Sequence, residues 1–268
     1  MTLLAVLGSL LIVAIWEFCR PRRQREFPAL RRRLGNVGIW LLNIALVALT
    51  FAPTAAVRPQ LAAFGVNLPS WPIANHWVSF AAAFLLLDFF NYAVHRCQHA
   101  VPLLWRLHAL HHSDPDVDVT TSVRHHPIEY LLAGGFYWLA VLALDIPLAV
   151  VTAHALTVFA AAAITHGNAK LPEWLERLLQ PVVITLDAHL IHHSISPGEA
   201  NANFGAVFSF WDRLFGTYAR RSPEQHQGIV FGVADLPRRA GLAPTAMLLT
   251  PWLITRAQRA GTPGSAPS

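Results

Sequence analysis

Charge is what this sequence has least of. Of its 268 residues only 13% are charged, against 54% hydrophobic, a balance well outside that of soluble domains. The shortage turns the search from a soluble fold to apolar runs of membrane-spanning length. Lysine is nearly missing: Lys170 is the only one, and arginine carries the basic charge. Together with abundant alanine, that bias points to a GC-rich bacterial source. The two cysteines, Cys19 and Cys97, both fall on the side read below as cytoplasmic, so no disulfide is expected. The sequence holds no Gly-rich phosphate loop, no nucleic-acid module and no basic patch interleaved with aromatics. The net charge of +5 therefore reads as a topology signal beside anionic lipid headgroups and implies no nucleic-acid partner.

Apolar runs occupy 3–19, 37–57, 73–94 and 128–166. The last is long enough for two spans joined at Asp145-Ile146-Pro147, or for a re-entrant hairpin, so about four or five helices are expected in the bilayer. The first run has no basic region before it and no small-residue cleavage site after it, and so reads as a retained anchor. Arg20, Arg22, Arg23, Arg25, Arg31, Arg32 and Arg33 fill the loop that follows, which places that loop in the cytoplasm. Alternation then puts 58–72 outside, and 95–127 and everything from His166 onward inside. Residues 113–127 read as a polar loop or short turn between helices. The stretch 170–181 is amphipathic, suited to the headgroup layer or to packing on the cytoplasmic part. Residues 194–236 have soluble character around Phe204, Phe208, Phe210, Trp211 and Phe215. The piece 242–255 is short and interfacial, and 261–268 reads as a disordered tail.

Histidine is what the chain has in excess. Eight of its 14 histidines lie in three runs: His95 and His99; His108, His111 and His112; His189, His192 and His193. Residues three and four apart share a helix face, so each run offers imidazoles on one stripe. Together the stripes could surround more than one metal ion, and the topology puts all three at one membrane face. Imidazole suits zinc, iron, copper and nickel. Cys97, two residues from His95, points away from the His95/His99 stripe. Hydrolytic two-metal sites are usually bridged by carboxylates, and none lies within the stripes; nor is there an H-E-x-x-H run. Haem transport of electrons would place isolated axial histidines deep in the spans. The pattern favours oxygen activation on a lipid, without selecting iron over zinc.

Several segments carry a resemblance. His95-Arg96-Cys97-Gln98-His99, His108-Ala109-Leu110-His111-His112-Ser113, the R-x-H-P-x-E run Arg124 to Glu129, His166-Gly167-Asn168, His189-Leu190-Ile191-His192-His193-Ser194, Asn203-Phe204-Gly205 and Trp211 to Tyr218 occur in that order. Over roughly 76–220 the chain resembles the fatty acid hydroxylase (sterol desaturase) superfamily. The resemblance implies an all-α fold, a polytopic membrane helical bundle whose cytoplasmic helical cap carries a histidine-rich dimetal site. It divides the chain into membrane anchor segments and arginine loop (1–72), catalytic domain (73–220) and C-terminal interfacial segment and tail (221–268). The implied ligands are His95, His99, His108, His111, His112, His166, His189, His192 and His193, holding two iron ions, with zinc the alternative.

The implied reaction uses O2 and two electrons to hydroxylate or desaturate a sterol, fatty acyl or other lipid-like substrate. An ether-lipid-cleaving monooxygenase or a zinc-containing relative is the nearest alternative, and a non-catalytic metal-handling membrane protein the more distant one. With no flavin, haem or iron–sulfur motif present, the electrons must come from a separate ferredoxin, cytochrome or reductase. Ligating imidazoles usually donate their other N–H to a carboxylate or carbonyl. Asp88, two turns before His95 on the same face, is the first candidate for that role, with His126, Asp187, Asn203, Asp114 and Asp118 after it. His76, His125, His154 and His226 read as structural.

Overall fold

A computed structural model of the chain describes residues 2–51, 57–66, 68, 70–71, 76–238 and 243–260; the tail 261–268 lies outside them. The chain is all-helical: α1 (Thr2–Cys19), α2 (Ala29–Phe51), α3 (Val57–Ala63), α4 (His76–Ala100), α5 (Pro102–His112), α6 (Pro127–Leu144), α7 (Leu148–Thr165), α8 (Glu173–Leu179) and α9 (Leu186–His192). Five short helices follow: α10 (Pro197–Ala200), α11 (Phe210–Leu214), α12 (Pro223–Gln227), α13 (Pro244–Leu248) and α14 (Thr250–Arg259). Among the described residues extended pairing is limited to the isolated bridges Val183–Phe208 and Ser194–Phe231.

Among the described residues four helices are long and apolar enough to cross a membrane: 29–50, 76–100, 127–144 and 148–165. α1, apolar from Leu3 to Cys19, rises ~26 Å at 1.5 Å per residue, against a hydrocarbon core of ~30 Å. Its Leu10, Val13 and Ala14 pack against Ala163 of α7 and Val119. The run 128–166 resolves into two separate helices, and Asp145 takes the left-handed conformation (φ 53°) that ends α6. Arg58 of α3 reaches Asp145 Oδ1 at 3.2 Å and the Leu142 carbonyl at 2.5 Å, tying α3 to the α6–α7 turn.

α4 runs past the apolar stretch 73–94, so that His95 and His99 ride on its last turn and a half. Val101-Pro102 then breaks the backbone and starts α5 with proline in its first turn, where the missing N–H costs nothing. Aromatic residues of the segment 204–215 cover α4. Trp211 and Phe215 lie 5.2 and 5.9 Å from Phe89, and Phe208 lies 6.3 Å from Phe84. Asp88 belongs to this joint, accepting from the Trp211 indole N–H at 2.9 Å.

Residues 113–127 hold the expected short turn, a 3₁₀ turn over Val119–Val123, and it lies inside the protein: Asp114, Asp118 and Arg124 are fully buried. Part of the arginine cluster is also inside the protein: Arg31–Arg33 begin α2, and Arg32 is fully buried. Arg32 donates to Asp114 at 2.9 Å and to Asp118, while Arg33 Nε reaches Asp118 at 2.8 Å. Glu17 of α1 accepts from the Val119 and Asn168 amides at 2.6 and 2.8 Å. Arg124 donates to the Leu110 carbonyl, Asn36 and Ser113 at 2.9, 2.8 and 2.9 Å. Composition cannot separate an arginine that marks topology from one that clamps two buried carboxylates. Arg32→Met removes the guanidinium from between Asp114 and Asp118, leaving Asp118 with Arg33, and removing one partner of a buried pair costs about 3–5 kcal/mol. A pronounced drop in the unfolding temperature of the detergent-solubilised protein is the expected result.

Candidate metal centre

All nine histidines expected as ligands converge, and they sort into two groups. His95, His99, His108, His112 and His192 form one; His111, His166, His189 and His193 form the other, the ring nitrogens of each group lying within 4.8 Å of one another. The sorting follows from helix geometry. His95 and His99 on α4 are four residues apart, as are His108 and His112 on α5 and His189 and His193 at the end of α9, so each pair shares a face. Adjacent residues on a helix diverge by ~100°. In each H-x-x-H-H run the two neighbouring histidines are therefore divided: His111 and His112 serve different groups, as do His192 and His193. The stripe expected on α5 and the one expected on α9 are each divided between the two groups, while that on α4 serves the first alone. The groups share a wall, where the His112 and His193 rings stack at 4.6 Å and 21°.

Backbone carbonyls set the tautomers. His95 Nδ1 lies 2.9 Å from the Phe204 carbonyl, and His192 Nδ1 lies 2.8 Å from that of Ala202. A carbonyl only accepts, so in both rings Nδ1 carries the proton and Nε2 is a bare lone pair. Those two Nε2 atoms face each other at 3.0 Å. In the second group His166 Nδ1 lies 2.7 Å from the Ala162 carbonyl, leaving its Nε2 bare 3.1, 3.0 and 3.1 Å from Nε2 of His111, His189 and His193. Nε2 of His108 and of His112 is buried with no hydrogen-bond partner. Converging lone pairs repel unless a cation lies between them.

A proton is a poor candidate for that cation. Burial, reinforced by the neighbouring imidazoles, holds His111, His112, His189, His192 and His193 far below the usual histidine pKa, and burial pushes His166 down to about 4. The rings are thus neutral at physiological pH, the form that binds metal. The donor sets fit two imidazole-bound metal ions, and among the described residues neither group contains a carboxylate.

The carbonyls that orient His192 and His95 flank Asn203, which takes a left-handed conformation (φ 58°). Asn203 donates to the Ala188 and Ala219 carbonyls at 2.8 and 3.0 Å and accepts from the Ala219 amide at 2.9 Å. Asparagine is among the few side chains at ease there. Asn203→Leu loses the three bonds and strains the turn, so we expect metal content to fall without loss of helicity by circular dichroism. Asn203→Gly, which keeps the φ freedom, should retain more metal.

The other expected partners of the ligands lie elsewhere. His126 caps α6 through the Ile128 amide and has Nε2 3.2 Å from the Leu248 carbonyl. Asp187 pairs with Arg22 and lies 3.6 Å from His226. Asp88 binds the Trp211 segment, with His154 at 3.8 Å, and Asp114 and Asp118 hold Arg32. Sequence reasoning missed Glu129. Its Oε1 lies 2.7 Å from His108 Nδ1, 3.1 Å from His125 Nδ1 and 3.2 Å from Gln98 Nε2, and its Oε2 accepts from the His126 amide at 3.2 Å. His125, read as structural, stacks on His111 at 4.6 Å and 9°. The signal was present in the R-x-H-P-x-E run, where both residues stand.

A family model described as fatty acid hydroxylase matches residues 80–217, just over half of the sequence. The chain belongs to the fatty acid hydroxylase family. Alkylglycerol monooxygenase of Homo sapiens is 30% identical over 174 residues, covering 62% of this chain and 35% of that protein. Ornithine lipid hydroxylase OlsE of Rhizobium tropici is 30% identical over 177 residues, 66% of this chain and 51% of that protein. Cholesterol 25-hydroxylase of Homo sapiens is 25% identical over 199 residues, 74% and 68% of the two chains. The chain thus spans about a third of the length of the alkylglycerol monooxygenases it matches and about half that of OlsE. No solved structure matches it. The family match lies over α4 to the Asn203 and Trp211 segments, the stretch that supplies all nine histidines.

Proposed function

We propose that this fatty acid hydroxylase family member is a membrane-embedded monooxygenase that hydroxylates a lipid, its nine histidines holding two iron ions. The observation that carries the reading is the pair of adjacent, buried, all-imidazole groups at the end of helices long enough to span a bilayer. The reaction balances as R–H + O2 + 2 e⁻ + 2 H⁺ → R–OH + H2O. Bound iron supplies the one-electron redox chemistry that O2 requires and that zinc lacks. The protein's own part is to hold neutral imidazoles in fixed tautomers through the Phe204, Ala202 and Ala162 carbonyls. It also keeps water from the first group, where Phe204 and Trp105 lie 5.1 and 4.9 Å from His99. Electrons come from a separate ferredoxin, cytochrome or reductase. We place the chain in a bacterial inner membrane with the histidine groups on the cytoplasmic side and residues 73–220 as its catalytic unit.

Similarity to alkylglycerol monooxygenases favours a second reading through the same first step. Hydroxylation beside an ether oxygen gives a hemiacetal that breaks into an aldehyde and an alcohol. Mass spectrometry of lipid extracts from cells with and without the protein tests both readings. A lipid shifted by +16 mass units supports hydroxylation, a fatty aldehyde supports ether cleavage, and −2 marks desaturation. Each signal should vanish in His111→Ala. Unchanged lipids in iron-replete, aerated cells with a competent reductase would sink the oxygenase reading.

A further inference from the structure

His95, His192 and His166 are each oriented by a backbone carbonyl, and His108 by Glu129. His99 differs from them. It is 2% exposed, and among the described residues it alone has both ring nitrogens buried without a hydrogen-bond partner. A metal ion can take only one of the two. The other then carries a proton that needs an acceptor, because a ligating imidazole is held in place through its second N–H and an unpaired buried donor is costly.

A cavity of about 20 Å³ lies against the His99 and His112 rings, with Trp105, Ser194 and Asn201 also in its wall. The Trp105 indole can only donate. Ser194 Oγ already accepts from the Ser196 amide at 3.2 Å, and His112 belongs to the same metal group as His99. Among these side chains Asn201 is left. Its carboxamide comes within interaction distance of the His99 ring yet stops short of full hydrogen-bond geometry. The cavity gives it room to close that gap, and the terminal torsion of an asparagine is broad enough to allow the turn.

The backbone around Asn201 supports the same pairing. Asn201 ends α10, its amide donating to the Pro197 carbonyl at 3.1 Å, and the Asn203 amide donates to the Thr217 carbonyl at 2.8 Å. Pinned at both points, the segment turns the Ala202 carbonyl to His192 and the Phe204 carbonyl to His95, both ligands of the first group. With those carbonyls engaged, the Asn201 side chain is a third acceptor delivered from the same four residues.

We infer that Asn201 is a positioning residue of the first histidine group, its amide oxygen accepting the N–H of His99 that the metal does not use. Three of the five ligands in that group then answer to the segment 201–204, and a shift of this segment is felt by one metal ion and not by the other. This role of Asn201 rests on the metal-site reading proposed above, and not on the reaction assigned to it.

Cobalt(II) loaded into the full-length, detergent-solubilised protein tests the role, because the N–H protons of cobalt-bound imidazoles give strongly shifted proton NMR signals that exchange with deuterium. Asn201→Leu, close to asparagine in size, removes the acceptor. It should turn one slowly exchanging N–H signal into a fast one and lower the chelator resistance of one of the two ions about 10–100-fold, the usual loss when an orienting partner goes. Asn201→Asp keeps an acceptor oxygen in the same place and should restore both the slow signal and the retention of that ion. This rescue separates a hydrogen bond from packing, and matching circular dichroism of the two variants checks that both are folded. Slow exchange and full chelator resistance in Asn201→Leu would overturn the role. So would equal damage by leucine and aspartate, or loss of both ions together from Asn201→Leu. Unsubstituted protein that takes up no cobalt would instead remove the metal-site reading, and the role of Asn201 with it.

Discussion

Purified His192→Ala protein is expected to carry about half the metal of the unsubstituted chain and to form no oxidised product. His192 joins the first group from α9, while its neighbours His189 and His193 belong to the second. Its Nε2 faces His95 Nε2 at 3.0 Å, so its loss takes away a central donor and leaves the second group's four rings in place. His193→Ala is the mirror experiment: it should empty the second group and spare the first. Elemental analysis gives the stoichiometry, and the double variant should hold almost no metal. Two-metal reactions fail when either ion is missing, so both single variants should lose turnover by several orders of magnitude while differing in which ion remains. Loss of all metal from each single variant would mean that the groups load as one unit. Full retention of metal and turnover in either would sink the assignment of these histidines as ligands.

The fold and most of the centre were legible in the sequence because the signals were local. Apolar length gave the spanning helices, and the i, i+4 spacing of His95/His99 and His108/His112 gave faces that do meet. His166, a lone histidine at the end of α7, could be included only through the motif order, since nothing local marks it. What stayed hidden was set by tertiary contact. Whether Arg32 lies against lipid or between Asp114 and Asp118 depends on how residues 113–124 fold back on α2, a separation of more than 80 positions. The orienting groups followed the same rule. Carboxylates at Asp88, Asp114, Asp118 and Asp187 looked suited to the ligands, yet each has a partner elsewhere. The work they were expected to do falls instead to backbone carbonyls, which every residue has and no sequence pattern distinguishes.

Glu129 is the exception among the carboxylates, and its removal is the second experiment with a large expected effect. Four donors point at this one side chain: His108, His125 and Gln98 at Oε1 and the His126 amide at Oε2. It is 4% exposed, so water cannot take its place. Glu129→Ala leaves the His108 N–H buried and unpaired, at about 1–3 kcal/mol, and frees the His108 ring to turn. It also releases His125, which is stacked on His111, so one truncation loosens a ligand in each group. Loss of such an orienting partner typically lowers metal affinity 10–100-fold, and competition with a chelator should reveal a drop of about that size. Glu129→Gln separates charge from position. Its amide oxygen can keep the three bonds at Oε1, while its NH2 meets the His126 N–H and the negative charge facing His108 is lost. Near-normal metal content with an altered metal absorption spectrum is therefore expected for Glu129→Gln, against clear metal loss for Glu129→Ala. Equal chelator resistance in Glu129→Ala and the unsubstituted protein would show that His108 and His111 are held by packing alone.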